Sequence, residues 1–154
     1  MRPSSPPAPT AAAEAVDRLQ AAINAHDLDA LVSCFDAAFV NETPAHPDRS
    51  FTGAAQVREN WTRILAGVPD LRASIVRQTA DETAAWTEWD WTGTRRDGSS
   101  HHMRGVTITT VGTEAITGAR FFMEPVTDEG LGVAAAIDRV TGAEGGRSAA
   151  GSEA

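Results

Sequence analysis

From Ala11 to Ala25, Val16, Leu19 and Ile23 recur at helical spacing among alanines, which predicts a first helix with Thr10 as its N-cap. His26-Asp27 interrupts that pattern. A second helix follows, with Leu28, Leu31, Val32 and Phe35 on one face and Asp27 as its cap. Phe39 to Thr43 reads as a short strand, and Pro44, Pro47 and Gly53 mark a loop after it. Val57, Trp61, Ile64 and Leu65 make a third helix, ended by Gly67 and Pro69.

From there the period changes to two. Leu71, Ala73 and Ile75 alternate with Arg72 and Ser74, so 71–78 reads as a strand. Residues 84–94 form the next, with Trp89 and Trp91 on one face and Trp86, Glu88 and Asp90 on the other. Asp97-Gly98 is a hairpin signal leading to a third strand, 101–111. Alternation groups His102 and Arg104 with Val106 and Ile108, and that set is expected to face the core. A fourth strand spans 116–126, where Glu124 shares parity with Ile116 and Phe122 and is expected to project inward.

Three helices followed by consecutive strands predict an α+β domain over 10–128. A curved antiparallel sheet would wrap around the three helices as a cone with one apolar pocket. Residues 1–9 are Pro/Ser-rich and read as a disordered leader. The tail 129–154 is Gly/Ala-rich; 133–140 is compatible with a short helix and the end reads as disordered.

Composition narrows the function classes. The net charge is −8, and all thirteen basic residues are Arg, scattered along the chain. Nucleic-acid binding needs a concentrated basic surface, so it is not expected. No apolar run approaches the roughly 20 residues that span a bilayer, and no signal-peptide core is visible, so the default expectation is a cytoplasmic protein. Cys34, the only cysteine, excludes an intrachain disulfide and reads as a buried structural thiol. Adjacent His101 and His102 on a strand point to opposite faces, so no metal site is expected. Phosphate- and dinucleotide-binding motifs are absent, leaving cofactor-free chemistry.

The segment FVNETPAHPDRSFTG (39–53) leads into a Trp-containing helix, VPDLRASI (68–75) enters the long strands, and WTEWDWTGTRRDG (86–98) is followed by HHMRGVTIT and ARFFMEPV. Together these resemble the SnoaL-like branch of the nuclear transport factor 2-like superfamily over roughly 11–127. That superfamily includes cyclases, isomerases, epoxide hydrolases, dehydratases and binding proteins, so the resemblance implies a fold before an activity. The chain has no Tyr, which separates it from ketosteroid isomerases and scytalone dehydratases. Arg104-Gly105-Val106 stands where limonene-type epoxide hydrolases carry Arg-x-Asp.

The candidate catalytic residues are Glu124, His102 and Asn41. The resemblance implies an acid/base carboxylate near Glu124, where cyclases of this type carry Asp. His102 would assist it or pair with it. Asn41, on one face with Phe39 and Thr43, would hold a substrate oxygen. Phe39, His46, Trp61, Trp89, Arg104 and Phe122 are the candidate substrate-binding residues. Plainer readings stand beside each: a hairpin-end His102, a strand-end Glu124 paired with Arg120 or Arg104, a turn-forming Asn41, a solvated His46, and core tryptophans. The expected reaction is proton-transfer chemistry on a small hydrophobic, oxygenated metabolite. The rival readings are a non-catalytic binding protein and an assembly module with a vestigial pocket. Relatives imply a homodimer through the sheet face, with Trp86 at the contact.

Overall fold

The computed structural model describes residues 4–143 of the chain; residues 1–3 and 144–154, which include most of the tail expected to be disordered, lie outside the described residues. Residues 4–10 carry no regular structure. The elements then run α1 (Ala11–Ala25), α2 (Leu28–Ser33), β1 (Phe35–Glu42), a 3-10 turn (Pro47–Arg49), β2 (Phe51–Thr52), α3 (Ala54–Gly67), β3 (Arg72–Ala80), β4 (Ala84–Thr94), β5 (Ser100–Val111), β6 (Ile116–Pro125) and α4 (Val133–Thr141). No described helix is long and apolar enough to cross a membrane.

The caps expected of α1 and α2 form: Thr10 accepts from the Ala13 amide and Asp27 from the Ala30 amide. Between them His26 takes a left-handed conformation at φ 54°, a place where glycine is usual. Its ring compensates by donating from Nε2 to the Leu71 carbonyl at 2.8 Å, which ties the α1–α2 corner to the entry of β3. Asn24 repeats the tie two residues earlier, bonding both the N–H and the C=O of Ala73 at 2.8 and 2.9 Å. β3 is an edge strand, so this side-chain amide satisfies backbone groups that have no partner strand.

The six strands lie in the order β2-β1-β6-β5-β4-β3. All neighbours are antiparallel except β1 and β6, which run parallel. Phe35 opens β1 instead of closing α2. The helix stops at Ser33, and Phe35 pairs with Ile116 and stacks edge-to-face on Phe39, ring centroids 4.8 Å apart. α1 packs on β3, β4 and β5, and α3 packs on β1, so one face of the curved sheet is covered by helices. The core between them is built from Val16 and Ile23 of α1, Leu31 of α2, Val57 and Trp61 of α3, and Trp89, Ile116 and Met123 of the sheet. α4 stands outside this core, with Val133, Ile137 and Val140 exposed.

β5 and β6 approach closely at Gly105, where φ is +151° and an added Cβ would sit 2.2 Å from the Phe122 carbonyl oxygen. Gly105→Ala is therefore expected to cost about 2–3 kcal/mol and to lower Tm by roughly 5–10 °C. Gly67→Ala, at the end of α3 with open space around it, should be neutral or slightly stabilising. Thermal unfolding of the two variants checks this, and equal Tm values would contradict the close approach.

Candidate ligand-binding site

The helix-covered face of the sheet does not fill completely. A cavity of about 260 Å³ remains between α1, α3 and the inner faces of β1, β4, β5 and β6. That is just under the usual range for small-molecule pockets, about 300–1,000 Å³. Its wall is largely aromatic. Phe35, Phe39 and Phe51 form one side, with Phe39 and Phe51 centroids 6.0 Å apart. Trp61 of α3 meets Trp91 at 5.4 Å, and Trp91 in turn meets Trp89 at 6.1 Å and Phe121 at 6.4 Å. Offset and edge-on contacts of this kind hold rings in fixed orientations, so the wall presents fixed flat surfaces.

A few polar groups interrupt the aromatic wall. Asn41 is 9% exposed and donates from Nδ2 to the Thr43 hydroxyl at 3.1 Å. Trp89 Nε1 donates to the Thr107 hydroxyl at 2.9 Å. Thr109 and Asn60 also line the space, and Arg49 stands at its rim. Among the described lining residues there is no Asp, Glu, His or Cys.

Of the candidate residues, Asn41, Phe39, Trp61 and Trp89 line this cavity. Glu124, His102, His46, Arg104 and Phe122 do not, and the expectation that they face it is corrected. Glu124 lies on the outer face of β6, where its carboxylate pairs with His46 at 2.8 Å; the two side chains are 53% and 39% exposed. Counting parity from Ile116 misleads because the register shifts by one residue: Thr110 faces Gly118, yet Val111 faces Ile116. Beyond that bulge Ala119, Phe121 and Met123 point inward while Arg120, Phe122 and Glu124 point out. Phe122 is 40% exposed beneath the Arg120 guanidinium.

His102 and Arg104 are displaced for a different reason. β4 and β5 pair Trp89 with Gly105, Trp91 with Met103 and Asp90 with Arg104. Directly paired residues share a face. The inward tryptophans therefore fix Gly105, Thr107 and Thr109 as inner, and Val106 and Ile108 as outer. Outside, Asp90 receives His102 Nε2 on one oxygen at 2.8 Å and Arg104 Nη2 on the other at 2.7 Å. The bonds from Arg104 come first among the causes that hold the Asp90 carboxyl below its ordinary range. His101 turns the other way, its Nε2 buried without a partner, and burial lowers its pKa. The described residues contain no cluster of three or more His, Cys, Asp or Glu able to hold a metal. Cys34 is half-buried, its thiol raised by that burial, and it is not on the cavity wall.

The wall residues that the alternation did not reveal are Phe35, Phe51, Asn60, Arg49, Thr107, Thr109, Ala119 and Phe121. Pairing β4 with β5 about the Asp97-Gly98 turn would have found the threonines. Nothing local in the sequence singles out Arg49.

Residues 16–119 match the family model described as the SnoaL-like domain. No curated protein matches the chain. Among solved structures, a Mycobacterium tuberculosis protein in complex with estradiol-17beta-hemisuccinate superposes with a TM-score of 0.64, at 15% identity, over 79% of this chain and 97% of that one. A protein with a ketosteroid isomerase-like fold from Catenulispora acidiphila, in complex with trimethylamine, gives 0.60, at 19% identity, over 72% and 86%. An LEH-like epoxide hydrolase of M. tuberculosis gives 0.62, at 19% identity, over 72% and 80%. At these identities the likeness shows the fold.

The outer Asp90 cluster has a pH signature. A carboxyl whose pKa is depressed in the fold stabilises it above the unfolded value, near 4, and loses that contribution as pH falls through the folded value. Asp90→Asn should cost about 1 kcal/mol or less at neutral pH, since solvent screens the exposed Arg104. Urea unfolding should show the gap to the native protein closing below about pH 4. A gap that holds or widens in acid would contradict the assignment.

Proposed function

Because the chain belongs to the SnoaL-like domain family, we propose that it is a small-molecule-binding domain whose ligand is a small, flat, apolar and oxygenated metabolite. The observation that carries this reading is the chemistry of the wall: aromatic faces, amides and hydroxyls, with no carboxylate, imidazole or thiol among the described lining residues. Apolar burial would supply the affinity, at about 25 cal/mol per Å² of apolar surface removed from water. Asn41 would fix orientation through its carbonyl oxygen, which accepts no bond from the described residues. The estradiol-17beta-hemisuccinate complex of a protein with the same fold supports a flat ligand of this kind.

Proton transfer by Glu124 or His102 finds no support in the geometry, because both project from the face opposite the cavity and each is already engaged by a hydrogen-bond partner. General acid–base catalysis in the cavity would need a carboxylate or imidazole that the described wall does not hold. Calorimetry with naphthalene-2-carboxamide tests the reading. Ala119→Phe, which puts a ring into the cavity, should weaken binding more than about tenfold. Glu124→Gln and His102→Ala should leave it unchanged within about twofold. Retained binding in Ala119→Phe with loss in the other two would overturn the proposal.

The outer sheet face supports a second element of the proposal, a homodimer. Trp86 is 54% exposed; Ile108, Val106 and Phe122 continue an apolar band beside it on paired strands. The ion pairs Arg77–Glu88, Asp90–Arg104 and Arg120–Glu42 lie about that band. An apolar centre with a charged rim is the anatomy of a protein contact. Sedimentation should give the native protein twice the 16.2 kDa chain mass, and Trp86→Glu the single mass. A native monomer would refute the dimer and leave the cavity reading untouched.

A further inference from the structure

The cavity wall is unevenly supplied with hydrogen-bonding groups. Asn60 accepts on Oδ1 from Gln56 Nε2 at 2.8 Å, which leaves its own Nδ2 hydrogens free. Thr43 and Thr107 each accept a bond on the hydroxyl oxygen, from Asn41 and from Trp89, which leaves each O–H to be donated. Against these donors stands one free side-chain amide oxygen, that of Asn41. Arg49, at the rim, adds five N–H groups and a permanent charge.

Arg49 is the only formally charged side chain on the described wall, in a chain whose net charge is −8. Among the described residues no carboxylate lies within ion-pair distance of it, the adjacent Asp48 included. Six other described arginines, Arg58, Arg63, Arg77, Arg104, Arg120 and Arg139, hold acids; Arg18, Arg72, Arg95 and Arg96 do not, but none of them lines the cavity. The segment that carries Arg49 is also held in place. Its 3-10 turn is closed by Arg49 N–H to the His46 carbonyl and Ser50 N–H to the Pro47 carbonyl, at 2.9 and 3.0 Å. The Ser50 hydroxyl accepts from the Thr43 amide at 3.0 Å, and the His46–Glu124 pair pins the loop to β6. The backbone of the only cation at the mouth is thus fixed before any ligand arrives.

We propose that the ligand is an amphipathic anion: a flat apolar body lies against the tryptophans, and a carboxylate at one end meets Arg49 at the mouth, with Asn60 as an amide donor on the wall. This rests on the cavity being a ligand site and adds the charge of the ligand. A bidentate guanidinium–carboxylate contact fits that end group in charge and geometry. A cationic ligand would meet Arg49 with repulsion.

Titration of tryptophan fluorescence in the full chain with three probes of one shape tests it: naphthalene-2-carboxylate, its neutral carboxamide, and 2-naphthylmethylammonium. The carboxylate should bind about tenfold tighter than the carboxamide, and the ammonium weakest. Arg49→Gln should bring the carboxylate to the level of the carboxamide, and a far-UV circular dichroism spectrum and Tm matching the native protein show that the variant is folded. Equal binding of carboxylate and carboxamide by the native protein, or an unchanged preference in Arg49→Gln, overturns the anion assignment and leaves the pocket standing. Failure of all three probes to bind overturns the pocket reading and this inference with it.

Discussion

Between Thr110 and Val111 the partners of β5 on β6 move from Gly118 to Ile116, so Thr117 is one residue more than the pairing needs. Such a bulge reverses which side chains a strand shows to each face. Ile116, before it, is buried; after it Ala119, Phe121 and Met123 continue the inner surface. Had every residue from Ile116 onward followed one unbroken alternation, Arg120 and Glu124 would enter an aromatic cavity. Burying those charges would cost several kcal/mol each unless they were compensated. Outside, they pair instead with Glu42 and His46. Gly118 sits at the same place, where a Cβ would lie 2.7 Å from the Thr110 hydroxyl, so the close approach of the two strands and the bulge occur together.

The division of chemistry between the two faces follows. The cavity wall keeps rings, amides and hydroxyls; the outer face takes Glu88, Asp90, His102, Arg104 and the ion pairs around them. A wall of that kind can bind and orient, and with Arg49 at its rim it is biased toward acceptor-rich, anionic ligands. The charged cluster around Asp90 belongs to the stability of the outer face and to whatever packs there.

Much of the architecture was legible because periodicity was strong. The helical spacing of Val16, Leu19 and Ile23 and the caps Thr10 and Asp27 gave the helices. The strong contrast of Trp89 and Trp91 with Glu88 and Asp90 gave the orientation of β4, and Phe39 led to Asn41 on the wall. β5 lacks that contrast. Its outer positions include Val106 and Ile108, while its inner ones include Thr107 and Thr109, so hydrophobicity points to the wrong face. An apolar outer band and a partly polar cavity produce this inversion. For β6 the obstacle was the bulge, which no local pattern announces. Arg49 belongs to a loop, and its place at the mouth is set by the pairing of Asn41 with Phe51 on either side of it.

The central claim is that the tryptophan-lined inner face, and not the charged outer one, receives the ligand. The four tryptophans report on it directly, since Trp61, Trp89 and Trp91 line the cavity and Trp86 lies outside. Fluorine NMR of the 5-fluorotryptophan-labelled protein, each signal assigned by substitution, resolves them one by one. On addition of naphthalene-2-carboxylate the account predicts shifts at Trp61, Trp89 and Trp91 with Trp86 unmoved. A shift confined to Trp86 would contradict it.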